Sequence, residues 1–311
     1  IFVLWLAFQP VDYAAWHLMV GVVGMLVPVI DLPRRVPILR KIKINIINAN
    51  KGKMHLSGSI RFWVMSIAGV LKFQGVLLIM ASLVSPVLVA LFATHKTLAN
   101  IAGCMAQLIQ GPITPEMSFL WAQKRFSDLI RIQSLILKSI IFSSGIMAVF
   151  LWVLAPLVYS GWTGGELRLE FNLLAIFLAQ AVLMASGSAL VFGMLATNQH
   201  RQLTLWLVAN AIITLGLAGL WVGSYGVKGV ATAGLVADFI TSILVFPFLT
   251  AGFLRVASLE VYKDIGLSFS ALIPFVGLAY ISVEIFDGWV GLGVWGISAV
   301  PVILIIARWL V

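Results

Sequence analysis

The sequence predicts an all-α polytopic membrane protein, and three observations carry that prediction. Hydrophobic residues make up 61% of the 311 positions and charged residues only 10%, with a mean hydropathy of +1.09. A soluble domain carries about 25% charged residues, so this chain cannot cover itself with a wetted surface. The apolar residues fall in runs of about 20, the length a helix needs to cross a bilayer. The basic residues gather between those runs, on alternate connections.

In chain order, Ile1–Phe8 reads as the end of a truncated span, closed by Gln9 and Pro10. Tyr13–Ile30 is the first full span and runs into the charged stretch that begins at Asp31. Phe62–Leu83 follows Arg61, and Pro86–Gly111 follows after a very short turn. Ser134–Tyr159 comes after Lys124, Arg125 and Arg131, and Phe171–Thr197 after the glycine-containing loop Gly161–Glu166. Leu203–Val222 follows Arg201, and the short connection Gly223–Lys228 leads into Gly229–Ala251. Ile265–Ile285 follows Arg255 and Lys263, and Asp287-Gly288 separates it from Trp289–Ala307, which Arg308 closes. That makes about nine full spans and one partial. A start at Ile1 inside apolar sequence, and a stop two residues after Trp309, read as a fragment of a longer protein.

Sidedness follows from the basic residues. Arg34, Arg35, Arg40, Lys41, Lys43, Lys51, Lys53, Arg61, Lys124, Arg125, Arg131, Lys138, Arg201, Arg255, Lys263 and Arg308 all fall on one side, which the positive-inside rule makes cytoplasmic. Only Arg168 and Lys228 fall on the other. The formal charge of +9 is therefore a topology signal and not a nucleic-acid face. Within the loop 31–61, Ile38, Leu39, Ile42 and Ile46 share roughly one helical face of Val36–Ile47, away from Arg40, Lys41 and Lys43. That pattern fits an interfacial helix on anionic headgroups or an ordinary positive-inside loop.

Two lysines lie inside spans. Lys72 and Lys96 each stand ten residues into an apolar run, which places them near mid-bilayer at 1.5 Å per residue. An ionisable group at that depth is a functional-site hypothesis by default. Lys96, Asn100, Gly103, Gln107 and Gly111 recur at intervals of four and three, widened by Thr94, His95, Thr97 and Gln110. Such a face lines a wet cavity or a buried interface. One acidic residue, Asp238, is placed deep enough to pair with either lysine, as a structural partner or as an ion-coupling carboxylate. One carboxylate cannot neutralise two ammonium groups, so a net positive site remains.

Catalytic constellations are missing. The sequence has no Walker A loop, no paired-carboxylate motif near a membrane face and no nucleophile–base signature. His17, His55, His95 and His200 are scattered without metal-ligand spacing, and the single Cys104 allows no intrachain disulfide. Glu166 and Glu170, flanking Arg168, read as a solvated loop. The expectation is a protein without enzymatic activity, cofactor or metal.

The run from Phe62-Trp63 through Lys72, then Ser85-Pro86-Val87-Leu88-Val89-Ala90-Leu91-Phe92-Ala93-Thr94 and on to Gly111-Pro112-Ile113-Thr114-Pro115-Glu116, resembles the first two C-terminal-lobe helices of polysaccharide flippases. These are the O-antigen and repeat-unit translocases of the multidrug/oligosaccharidyl-lipid/polysaccharide exporter superfamily. Asn198–Lys228 with Gly229-Val230-Ala231-Thr232-Ala233-Gly234 is similar to that family's later spans. The resemblance implies a two-lobed helical transporter: residues 1–30 end the N-terminal lobe, of which about four spans are missing, and 31–61 form the inter-lobe loop. Residues 62–251 then form a six-helix C-terminal lobe, and 252–311 add two spans.

The function it implies is flipping of an undecaprenyl-diphosphate-linked oligosaccharide across the bacterial inner membrane by alternating access, with a polysaccharide polymerase and assembly proteins as partners beside membrane lipid. Lys72 and Lys96 would attract the diphosphate, and Asn100 and Gln107 would bond sugar hydroxyls. Two rivals stay open. A multidrug or cation antiporter of the same superfamily should have a more acidic cavity, and a membrane-embedded polymerase or glycosyltransferase should carry a sizeable outward loop.

Overall fold

The computed structural model describes residues 19–20, 22–24, 49–199 and 201–285. The expected spans Tyr13–Ile30 and Trp289–Ala307, the truncated span Ile1–Phe8 and the amphipathic segment Val36–Ile47 lie outside the described residues or reach them only at isolated positions. Backbone contacts divide the chain into two compact units, Ile1–Ser57 and Gly58–Val311. The first is described only at short helical stretches, and apart from the opening residues of α1 everything below concerns the second.

From Ala49 on, eight α-helices and one π-helical turn follow in order among the described residues: α1 (Ala49–Leu83), α2 (Pro86–Ala122), α3 (Phe126–Thr163), α4 (Phe171–Ala196), α5 (Arg201–Phe239), the π-helical Ile240–Val245, α6 (Phe246–Leu254), α7 (Ser258–Ser270) and α8 (Ile273–Ile285). Helix is the outcome physics demands here, because only intra-segment hydrogen bonds satisfy backbone groups in hydrocarbon. Six helical stretches are long and apolar enough to cross a membrane. The longest, Arg201–Leu254, is folded back on itself. Gly226 takes φ 56° and ψ −141°, a region open essentially to glycine alone, and Asn210 on the first arm hydrogen-bonds to Ala237 on the second. The two spans expected at Leu203–Val222 and Gly229–Ala251 are the arms of this hairpin.

Four expected boundaries move. Phe62–Leu83 begins instead at Ala49, so the last part of the expected loop 31–61 is the first three turns of α1. Pro86–Gly111 does not end at the Gly111-Pro112 pair, because α2 runs through Pro112 and Pro115 to Ala122. Thr114 and Ser118 donate their hydroxyls to Gln110 and Thr114 carbonyls across that stretch, and Met117 and Leu120 are fully buried. Tertiary packing therefore carries the helix past two prolines that hydropathy reads as an end. Ser134–Tyr159 widens to Phe126–Thr163 for the same reason, with Leu129 buried. Ile265–Ile285 is not continuous: a turn at Ala271 and Leu272 separates α7 from α8.

Helix α4 is the centre of the unit. It packs against α2, α3, α5, α6 and the π-helical turn, and its two halves belong to two apolar clusters. Leu173, Phe177 and Ala181 join Phe92, Tyr159 and Val230, while Ala189, Leu190 and Phe192 join Ile136, Phe246 and Leu254. Close approach depends on small residues, as in membrane bundles generally. At Gly187 a Cβ would collide with the Ser242 hydroxyl and come within 3.3 Å of the Phe246 ring.

Gly187→Leu should therefore prevent folding, and Gly187→Ala should cost about 1–3 kcal/mol. Ser242→Gly should return much of the alanine variant's loss, read as thermostability in detergent. An unperturbed Gly187→Ala would show that the π-helical turn is free to retreat.

Candidate functional site

The buried polar residues of the unit converge on Asp238, 3% exposed near the end of α5. Lys72 of α1 donates from Nζ to its Oδ1 at 2.5 Å, and Gln180 of α4 donates from Nε2 to Oδ2 at 2.8 Å. Asn210, on the other arm of the α5 hairpin, adds a longer bond to Oδ1 at 3.2 Å. The carboxylate thus takes three donors from three directions, with its charge matched by one ammonium. In a low-dielectric interior this is the condition under which a buried pair is tolerated.

The local backbone explains why Asn210 stands there. The π-helical turn Ile240–Val245 begins two residues after Asp238, and a π turn disturbs the i→i−4 ladder. Asn210 Nδ2 donates to Ala237 O and to Thr241 Oγ1, both at 2.9 Å, and Thr214 donates to Asn210 O at 2.8 Å. The amide stitches the disturbed turn to the first arm and holds Asp238 in place. No sequence pattern marks that turn.

Lys72 appears on α1 through a stripe of buried residues four apart, Ala68, Lys72, Val76 and Met80, as helical periodicity requires. Gly75, one residue short of Val76, lets Leu215 of α5 close on α1.

Lys96 is placed differently. Its Nζ lies 4.7 Å from the Phe73 ring centroid and 5.5 Å from that of Phe92, within range of cation–π attraction. Among the described residues no carboxylate pairs with it. Lys72, Lys96, Phe92, Phe177, Gln180 and Thr214 line one cavity of about 10 Å³, room for about one water. The two ammonium groups and one carboxylate leave this cluster with one formal positive charge.

Counting ten residues from a span end to Lys96 assumes a helix as long as the membrane is thick. Helix α2 has 37 residues, about 55 Å at 1.5 Å per residue, against a hydrocarbon core of about 30 Å. His95, its neighbour, bonds to the backbone N–H of Glu170 at the very start of α4. The Lys96 backbone is therefore level with the first turn of α4, and its side chain lines one small cavity with Gln180.

Asn100 and Gln107 are both exposed, on the face of α2 that continues from Lys96. They are not drawn into the Asp238 network. Gln110 at the end of the stripe turns inward, with Nε2 3.2 Å from Ser188 of α4.

Sequence reasoning missed the role of His95, which is fully buried. The one available signal was an ionisable side chain in an apolar helix, beside a lysine already singled out. It also missed a second ionic contact, in which Asp264 of α7 meets Lys138 of α3 at 3.3 Å and accepts from Ser134 at 2.5 Å. No group of His, Cys, Asp and Glu among the described residues could hold a metal ion. A much larger cavity, about 640 Å³, is walled by apolar side chains such as Trp152, Leu178, Phe269 and Val276.

No family model matches the chain, and neither a characterised protein nor a solved structure matches it significantly.

Proposed function

We propose that this chain belongs to a transporter that carries an undecaprenyl-diphosphate-linked oligosaccharide across the bacterial inner membrane, for surface polysaccharide synthesis. The single observation behind this reading is the Lys96 ammonium, half-buried in apolar helix and committed to no carboxylate among the described residues. Retaining such a charge costs stability, and an anionic cargo is a reason to retain it. A sugar chain bearing a diphosphate cannot cross hydrocarbon unaided, so a polar path with positive charge must receive it.

Asp238 weighs against a cation exporter, because Lys72, Gln180 and Asn210 already occupy it. The polar cavity at Lys72 and Lys96 is too small for a sugar. In the proposed cycle this arrangement would be a closed one, and cargo would meet Lys96 from the exposed α2 face that bears Asn100 and Gln107. Alternating access would rock this helical unit as a body, with the basic loop 31–61 on the cytoplasmic side. The partners would be the lipid-linked cargo, membrane lipid and the polymerase that consumes it.

Deleting the gene in its own host tests the reading. Diphosphate-linked repeat units should accumulate in the cytoplasmic leaflet, while surface polysaccharide falls to background. Unchanged distribution of the lipid-linked sugar between the leaflets would sink it.

A further inference from the structure

Both ring nitrogens of His95 are spoken for, and the partners fix which carries the proton. Nδ1 lies 2.7 Å from the Leu91 carbonyl oxygen, which can only accept, so Nδ1 carries hydrogen. Nε2 lies 3.0 Å from the backbone nitrogen of Glu170, which can only donate, so Nε2 is bare. The ring is neutral, in the Nδ1–H tautomer, and serves as the acceptor for a backbone N–H at the start of α4. That end has no side-chain cap of its own from Glu170, and such N–H groups otherwise depend on water or a cap.

We infer that His95 is a proton-accepting site whose occupation releases the start of α4 from α2. The inference rests on this geometry and not on the identity of the cargo. A proton arriving from water adds to Nε2 and forms an N–H bond there. Two donors, Nε2–H and the Glu170 N–H, then face each other at a hydrogen-bond separation, and one must turn away. The route is short, because Gly164, Gly165, Glu166 and Arg168 in the connection before α4 are exposed.

The ionisable groups around the ring define what the cation would meet. Tyr159 of α3 stands with its hydroxyl 3.2 Å from Nδ1 and its ring centroid 4.6 Å from that of His95. That hydroxyl also meets Thr94 at 2.9 Å, so it stays tied to α2 in either state. The Glu170 carboxylate pairs with Lys228 of α5 at 3.5 Å. Leaving Lys228, it becomes the nearest anionic acceptor for Nε2–H. On its own helix His95 adjoins Lys96, whose positive charge opposes a second cation. Protonation thus exchanges one bond, Glu170 N–H to His95, for another, His95 to the Glu170 carboxylate, and loosens the α2 turn that bears Lys96.

Amide hydrogen exchange read at Glu170, in the intact protein in nanodiscs, tests this without reference to transport. After correction for the intrinsic pH dependence of exchange, the Glu170 amide should be protected about tenfold more at about pH 8 than at about pH 4.5, well below the titration of a free imidazole, the worth of one buried hydrogen bond. His95→Gln retains a donor and an acceptor but gains no proton, and should stay protected at both values. Glu170→Gln should keep the pH dependence, which separates the imidazole from the carboxylate. His95→Phe should exchange fast at both; where it fails to fold, the wild-type and His95→Gln comparison decides. Equal protection of the wild type at both pH values, or an unchanged pH dependence in His95→Gln, overturns the assignment.

Discussion

Asp238→Asn should sharply reduce the amount of folded protein in the membrane, and Lys72→Met in the same chain should restore most of it. The carboxylate is buried with three donors upon it, so its neutralisation leaves the Lys72 ammonium uncompensated. Breaking one side of a buried pair costs about 3–5 kcal/mol, whereas removing both sides together is often close to neutral. The asparagine is chosen because its carbonyl oxygen still accepts from Gln180 or Asn210, so those amides are not both orphaned. Asp238→Leu would lose that and should not be rescued as fully. Lys96→Met should fail to rescue Asp238→Asn, because the hydrogen-bonded partner is Lys72. Detergent thermostability and membrane abundance measure all four variants. Normal abundance in Asp238→Asn, combined with transport that no longer follows an ion gradient, would instead make Asp238 a coupling carboxylate.

Much of the fold was legible because hydrocarbon enforces it. The expected spans within the described region fall on helix, except that Ile265–Ile285 is broken by a turn, and the hairpin at Gly226 sits in the short connection expected at Gly223–Lys228. Helix ends were not legible, since hydropathy records where lipid stops and α2 and α3 continue into protein contacts. The break at Ala271 and Leu272 falls on apolar residues, to which a hydropathy reading is blind. Asp238 stood out as the one deep acid, but its pairing with Lys72, 166 residues away in sequence, depends on helix azimuths that spacing alone does not set. The two mid-span lysines looked alike in sequence. One is paired and buried, the other stands on two aromatic rings.

That difference makes the Lys96 variants separable from the Asp238 variants. Lys96 pairs with no carboxylate among the described residues, so Lys96→Met removes a half-buried charge without orphaning one. It forfeits a cation–π contact worth about 0.5–2 kcal/mol and gains back the cost of keeping an ammonium in an apolar setting. Thermostability should therefore hold or rise, the opposite of Asp238→Asn. On the proposed function transport should fall, because a charge-assisted hydrogen bond to a phosphate contributes about 1.5–3 kcal/mol, roughly a ten- to hundredfold loss in rate when it acts in the rate-limiting step. Lys96→Arg keeps the charge and can stack on Phe73 and Phe92, but a planar fork does not fit a cavity that holds one water. Partial activity is expected there. Surface polysaccharide in a strain lacking its own copy reads transport, and membrane abundance of each variant is measured alongside. Wild-type polysaccharide in Lys96→Met would remove this lysine from the cargo path. Lost polysaccharide together with lost protein would make it a structural residue.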